Sequence, residues 1–378
     1  MARLETMTPL SIYIHIPFCR SRCIYCDFLS FCNADDMMQP YVDALCADIV
    51  ATAPEFADYE VVSVFFGGGT PTVLATAQLA RIFDAVAANY HLAGDVSVTT
   101  EANPETVDFE YLARLHQSGF NRISFGVQSF DDRLLAAIGR AHSSAKAVDA
   151  VNMAAEAGFR DINVDLIYAL PHQSPADFAA ALDMAVKLPI THISCYAMTV
   201  EDDTPLAHNT VLLAAIPNEA ADRQMYHMAK EVLASQGFTH YEISNWAKPG
   251  FTCRHNAGYW THRQYMGFGV GAHSYVQKRR ICKTNSLAAY IGGNFACKLL
   301  EEIDQPAEMA EFMILGLRLT QGIDIREFTK RFGRDIFDVF GSQLKKFTTQ
   351  GLLCTNGTKI ALTACGIDLS NMVFAEFL

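Results

Sequence analysis

Tyr13-Ile-His-Ile-Pro-Phe-Cys19-Arg-Ser-Arg-Cys23-Ile-Tyr-Cys26-Asp-Phe28 carries three cysteines at the spacing C-x-x-x-C-x-x-C. Three thiolates this close can each take one corner of a cubane iron–sulfur cluster, a group normally held by four cysteines. Three leave one iron without a protein ligand, and an iron with an open position can do chemistry. Two plainer readings stand beside this one. The cysteines could bind zinc, which prefers tetrahedral sulfur and nitrogen sites, with His15 or Asp27 as fourth ligand. They could also be ordinary buried thiols, since free cysteine is among the most buried residue types.

Outward from this stretch, short β-branched runs alternate with helical patterns. Strands are expected at 11–16, 61–66, 95–101, 122–127, 161–167 and 191–198, and helices at 41–53, 76–90, 106–118, 143–157 and 175–187. Thr76 and Ser143 read as N-caps, and Gly119 and Gly158 as stops. The strands are nearly continuous apolar runs, as parallel strands covered on both faces require. Six βα units make an α/β fold, a partial (β/α)6 TIM-like barrel open on one side to a large substrate. The cysteines and the polar groups Gly67–Pro71, Glu101–Pro104, Gln128-Ser129, Asp165 and Tyr196-Ala197 all follow strands, the end where βα barrels gather their active sites.

After about residue 206 the alternation loosens. A helix is expected at 218–236 and a strand at 240–244, followed by a segment rich in Gly, Trp, Tyr and His over 246–274. Helices at 308–319, 325–332 and 336–350 precede a hairpin at 351–362 around Asn356-Gly357, a strong two-residue turn signal. The expected division is a barrel over 1–206, an extension over 207–300, and a small C-terminal α+β, winged-helix-like domain over 301–378.

The formal charge of the 378-residue chain is 29 minus 41, or −12, without a basic stripe, which argues against nucleic acid as partner. No run reaches the roughly 18 apolar residues of a membrane span, and the first nine residues lack the apolar core of a signal peptide. Eleven cysteines, an odd number with several in apolar runs, argue for a reducing cytoplasm rather than a disulfide framework.

Further motifs join the cysteines. Gly67-Gly68-Gly69-Thr70-Pro71 follows an apolar strand and lets backbone approach a ligand closely. Glu101 could hold an ammonium or ribose hydroxyl, Gln128 a ribose, and Arg140 a carboxylate in bidentate fashion. Asp165 ends the fifth strand. Each alone is equally read as a structural polar group at a strand end; together they ring one mouth.

With these residues the chain resembles, over nearly its whole length, the oxygen-independent coproporphyrinogen III oxidase-like superfamily of radical S-adenosylmethionine (SAM) proteins. The resemblance implies a 4Fe-4S cluster on Cys19, Cys23 and Cys26, with SAM chelating the fourth iron. It implies SAM binding by Tyr13, Gly68, Gly69, Thr70, Glu101, Gln128, Arg140, Asp165 and Ala197.

One departure points to a subfamily. The true dehydrogenases continue the motif as C-x-x-x-C-x-x-C-x-C, where this chain has Phe28; Cys32 falls out of step and reads as a structural thiol. His255-Asn256-Ala-Gly-Tyr259-Trp260 resembles the His-Asn-x-x-Tyr-Trp signature of the heme chaperone HemW subfamily, whose histidine is implicated in binding heme. A neutral imidazole is a good axial ligand for heme iron, and Tyr259 and Trp260 offer flat surface to a porphyrin. Packing is the plain alternative for all four residues, and Cys253 with His255 is a weaker ligand pair. The stretch 267–274 either closes the cofactor site or is a glycine-rich turn.

The implied function is heme carriage to an acceptor protein, for instance a respiratory membrane enzyme. The alternatives are a coproporphyrinogen III dehydrogenase, in which a 5′-deoxyadenosyl radical abstracts hydrogen from propionate side chains, a radical enzyme acting on heme, and a zinc-stabilised barrel. Whether the chain is an enzyme stays open, and no catalytic residue is assigned. Apolar surface on the open side of the barrel would support a homodimer.

Overall fold

Six parallel strands stand side by side in chain order in the computed structural model, which describes residues 7–378. Residues 1–6, the larger part of the N-terminal stretch read above, lie outside it. The strands are β1 (Thr8–Ile16), β2 (Tyr59–Gly68), β3 (His91–Ala102), β4 (Arg122–Gln128), β5 (Asp161–Tyr168) and β6 (His192–Ala197). Their register, Ile14 beside Phe66, Phe125 beside Val164 and Leu166 beside Cys195, lines up the apolar runs that the sequence shows. The helices Asp35–Thr52, Thr76–Asn89, Phe109–Gln117, Ser144–Glu156 and Pro175–Ala185 alternate with these strands. Their apolar positions join the strands in one large core.

Both edges are extended. Beyond β6 lie antiparallel β8 (Asn245–Ala247) and β7 (Thr239–Glu242). Beyond β1 lies β9 (Tyr265–Phe268), parallel to it, and then antiparallel β10 (His273–Val276), β11 (Arg279–Cys282) and β12 (Lys298–Glu302). The strand expected at 240–244 is therefore the shorter β7 and the turn that leads into β8. Strands of three to five residues give too little alternation to be read from sequence.

Of the expected N-caps, one is corrected. Thr76 is the first helical residue rather than the N-cap; Ala75 caps, and its N–H donates to the Gln78 side chain at 2.9 Å. Ser143 does cap its helix, accepting from the Lys146 N–H at 3.2 Å. The stretch 267–274 forms the β9–β10 turn and lines no part of the cavity described below. Its glycines serve packing: a Cβ on Gly269, at φ +105°, would meet the Tyr41 hydroxyl and lie 2.7 Å from the His15 carbonyl.

A buried polar knot ties the first helix to this turn. The Tyr41 hydroxyl donates to the His15 carbonyl at 2.7 Å and accepts from the Val270 N–H at 3.2 Å. Asp48 accepts from Lys283 Nζ and from the Tyr290 hydroxyl, each at 2.7 Å.

The C-terminal helices Gln305–Gly316, Ile325–Phe332 and Ile336–Thr349 form a second core with a three-stranded antiparallel sheet. Its hairpin strands are Leu353–Asn356 and Lys359–Leu362, so the two loop residues are Gly357 and Thr358. The turn sits one residue later than expected because Asn356 pairs with Lys359 in the ladder.

Candidate cluster and cofactor site

The cysteine loop leaves β1 at Ile16 and is pinned on three sides. Phe31 N–H donates to the Pro17 carbonyl at 2.6 Å, and Cys19 N–H to the Phe31 carbonyl at 3.1 Å. Ile24 N–H reaches the Ile138 carbonyl at 3.4 Å, while the Ile24 carbonyl accepts from Leu206 N–H at 2.9 Å. His15 Nε2 donates to the Leu29 carbonyl at 2.9 Å and its Nδ1 accepts from Tyr13 at 3.0 Å. With both nitrogens engaged, His15 is not free to act as a fourth zinc ligand.

Cys19, Cys23 and Cys26 face one cavity of about 550 Å³, within the ~300–1,000 Å³ of small-ligand sites. Tyr13, Gly68, Gly69, Thr70, Glu101, Gln128, Arg140, Asp165 and Ala197 line it too, with Asp27 and Phe28 beside the cysteines. All three thiols are unpaired, and burial pushes those of Cys19 and Cys26 up. Arg140 donates to the Cys23 sulfur at 3.4 Å and to the Gly126 carbonyl, and its Nε has no partner.

The glycines are a matter of clearance. A Cβ on Gly69 would lie 2.6 Å from the Phe18 carbonyl and 3.0 Å from the Cys19 sulfur, and one on Gly68 would sit 2.5 Å from the His15 ring. Bare backbone here lets the end of β2 bond the cysteine loop, Gly69 N–H to Ile16 at 2.9 Å and Thr70 N–H to Phe18 at 2.8 Å. Gln128, at φ +67°, turns its side chain at an irregularity in the β4–β5 register. A non-glycine residue held there is the strain often found at binding sites.

These residues fit an iron–sulfur cluster with SAM beside it. A four-iron cubane takes one thiolate per corner, so its thiols need not meet at a point. Among the described residues, no three His, Cys, Asp or Glu side chains gather closely enough to hold a single metal ion. The Arg140 guanidinium, with Nε unpartnered, suits a carboxylate, and the buried carboxyls of Glu101 and Asp165 suit an ammonium or hydroxyls. Bound there, a cluster with an open iron would supply one-electron reduction.

The Glu101 carboxyl is pushed up to about 8 by burial, with Asp165 adding to the shift and the Gly68 N–H, at 3.2 Å, opposing it. The folded chain thus keeps a proton that the unfolded chain releases near 4.5, the ordinary value of a glutamate. The associated stability is fully present below 4.5 and is lost as pH rises through about 8. Glu101→Gln should accordingly lose less thermal stability than the parent between pH 5 and 8.5, by at least about 3 °C in melting temperature. Parallel falls in both proteins would mean that Glu101 is already ionised.

The helix Arg254–Trp260 brings part of the His-Asn-x-x-Tyr-Trp motif to the same cavity. His255, Asn256 and Tyr259 line it. His255 stacks on Phe65 with ring centroids 4.9 Å apart, and burial, with Arg263 and Arg122 adding, pushes it down to about 3, so the ring is neutral. Its Nδ1 meets the Ser63 hydroxyl at 3.1 Å and its Nε2 the Tyr259 hydroxyl at 3.0 Å. An iron could take Nε2 only by displacing that hydroxyl.

Trp260 is not brought to the cavity. His255 and Tyr259, four apart, share a helix face, whereas Trp260 is about 100° further round. Its ring packs under the Arg318 guanidinium at 4.2 Å. Trp246 is core, stacked on His240 at 4.4 Å. Cys253 and Cys32 do not line the cavity either. Sequence reading missed the inner lining, Arg122, Ser124, Asn163 and Ser194. For Ser124, Asn163 and Ser194 a signal was there, polar residues inside strands otherwise apolar.

Comparison with known proteins agrees with this architecture. The radical SAM superfamily model matches residues 13–185, and the HemN C-terminal domain model matches 303–369. Heme chaperone HemW of Bacillus subtilis (strain 168) is 34% identical over 375 residues, covering 97% of this chain and 99% of that protein. Heme chaperone HemW of Escherichia coli (strain K12) is 34% identical over 380 residues, covering 98% and 99%. The solved coproporphyrinogen III oxidase HemN of Escherichia coli, a radical SAM enzyme, superposes with a TM-score of 0.83 at 24% identity, over 99% of this chain and 91% of that one. It shares the fold, a partial barrel with a C-terminal domain. Matched end to end by these chaperones, the chain belongs to the HemW family of the radical SAM superfamily.

Proposed function

We propose that this chain binds heme in the cavity and passes it to an acceptor protein. It carries a 4Fe-4S cluster on Cys19, Cys23 and Cys26, completed by SAM, and works in the reducing cytoplasm. The observation that supports this most is the placing of His255, Asn256 and Tyr259 in the wall of the cavity that the three cysteines also line. Phe28, at the mouth and largely exposed, stands where the resemblance puts a cysteine in the dehydrogenases. All eleven cysteines are unpaired, as a reducing compartment keeps them. Among the described residues no helix is long and apolar enough to cross a membrane, so delivery to a membrane enzyme would be by docking.

The chain's own part is to bind and orient. Phe65 and Tyr259 offer apolar surface to the macrocycle, and the neutral His255 ring offers Nε2 once Tyr259 yields. Heme titrated into the anaerobically reconstituted protein should bind, and His255→Ala should weaken it at least about tenfold. Protoporphyrinogen formed from coproporphyrinogen III in multiple turnovers, or no heme binding with or without cluster, would overturn carriage.

A further inference from the structure

The inner end of the cavity holds a charge that the cofactor residues at the mouth leave unused. Arg122 opens β4, and Ser124 and Gly126 follow it on the same face of the strand. Four residues at about 3.3 Å each separate Arg122 from Gly126, whose carbonyl Arg140 bonds, so the two residues stand about 13 Å apart along one wall. A carboxylate held by Arg140 would therefore sit toward the other end of this wall from the Arg122 backbone.

The Arg122 side chain is 3% exposed, lines the cavity, and has no hydrogen-bond partner at Nε. Asp161 Oδ1 lies 3.3 Å from that nitrogen without hydrogen-bond geometry. Asp165, the other carboxylate nearby, is engaged by the Ser124 hydroxyl at 3.1 Å and the Asn163 amide at 2.8 Å. Nε is thus turned to Asp161, while the residue still lines the cavity; a guanidinium so placed can receive a planar anion through two parallel N–H bonds.

We infer that Arg122 receives a carboxylate at the inner end of the bound ligand, in heme one of its propionates. This deepens the proposed function and rests on it. With His255 offering Nε2 to the iron and Phe65 apolar surface to the macrocycle, Arg122 fixes which edge points inward. Mouth and floor thereby read different ligands, Arg140 the amino-acid end of SAM and Arg122 the acid edge of the porphyrin.

The test is a titration of heme and of its dimethyl ester into the parent, Arg122→Lys, and the double variant Arg122→Gln with Asp161→Asn, which removes both charges together. Melting temperature and iron content report the fold. The parent should bind the diacid at least about tenfold more tightly than the ester. The double variant should bring that ratio close to one without changing ester affinity, and Arg122→Lys, keeping the charge but not the fork, should fall between. A ratio that survives both variants, or a parent that binds the two compounds equally, overturns the role of Arg122 and leaves heme binding standing. A parent that binds neither overturns heme binding and this inference with it. Should the double variant fail to fold, Arg122→Lys reads the same ratio.

Discussion

Cys23→Ala is expected to leave a folded protein that retains almost no cluster. After anaerobic reconstitution, iron and sulfide should fall from about four each per chain to below about one. The loop does not need the thiol for its shape. It is held by the backbone bonds of Phe31, Cys19, Ile24 and Leu206 and by the grip of His15 on the Leu29 carbonyl. Losing the Cys23 sulfur removes its contacts with Arg140 and the Tyr25 hydroxyl and no backbone bond of the loop, so the melting temperature of the cluster-free protein should move little. Cys19→Ala and Cys26→Ala should behave alike, while Cys32→Ala should keep its iron because Cys32 does not face the cavity. Four irons retained by Cys23→Ala would show that another group, Cys32 foremost, ligates in its place.

Lys283→Met should be among the most destabilising single changes away from the site. The side chains of Lys283 and Asp48 are 2% and 0% exposed and pair at 2.7 Å. Removing one partner strands a carboxylate inside the core with only the Tyr290 and Thr52 hydroxyls to solvate it, at a cost of about 3–5 kcal/mol. Urea unfolding followed by the fluorescence of Trp246 and Trp260 measures this. The double variant Asp48→Asn with Lys283→Met should recover much of the loss, since a buried pair replaced as a whole is often nearly neutral. Equal losses in single and double variants would mean that Lys283 contributes packing rather than charge balance.

The parallel strands were legible because each is a long β-branched run followed by polar residues. The cluster site was legible because all three thiols fall within eight consecutive residues. The edges of the sheet were not. β8 to β12 run three to five residues each, and β9 is placed beside β1 by tertiary packing rather than by pattern. The motif around His255 was found but only partly oriented. Sequence spacing places His255 and Tyr259 on one face, yet nothing local says which face the barrel will take, and Trp260 went to Arg318. Arg122 escaped notice because an arginine at a strand start reads as a surface residue. Only closing the strands into an arc turns it inward.

The polar knot under the cysteine loop bears on when the cluster can be received. Tyr41 supports the His15 carbonyl while bonding Val270, 229 residues later, and Asp48 waits for Lys283 and Tyr290, 235 and 242 residues later. At about 5–20 residues per second, the ribosome needs roughly 10–50 s to supply them after the cysteines have emerged. Throughout that interval the three thiols travel on a nascent chain whose cradle is unfinished. Loading with iron and sulfide therefore belongs to the nearly complete polypeptide, and a chain stalled before Val270 would present ligands without the floor that holds them.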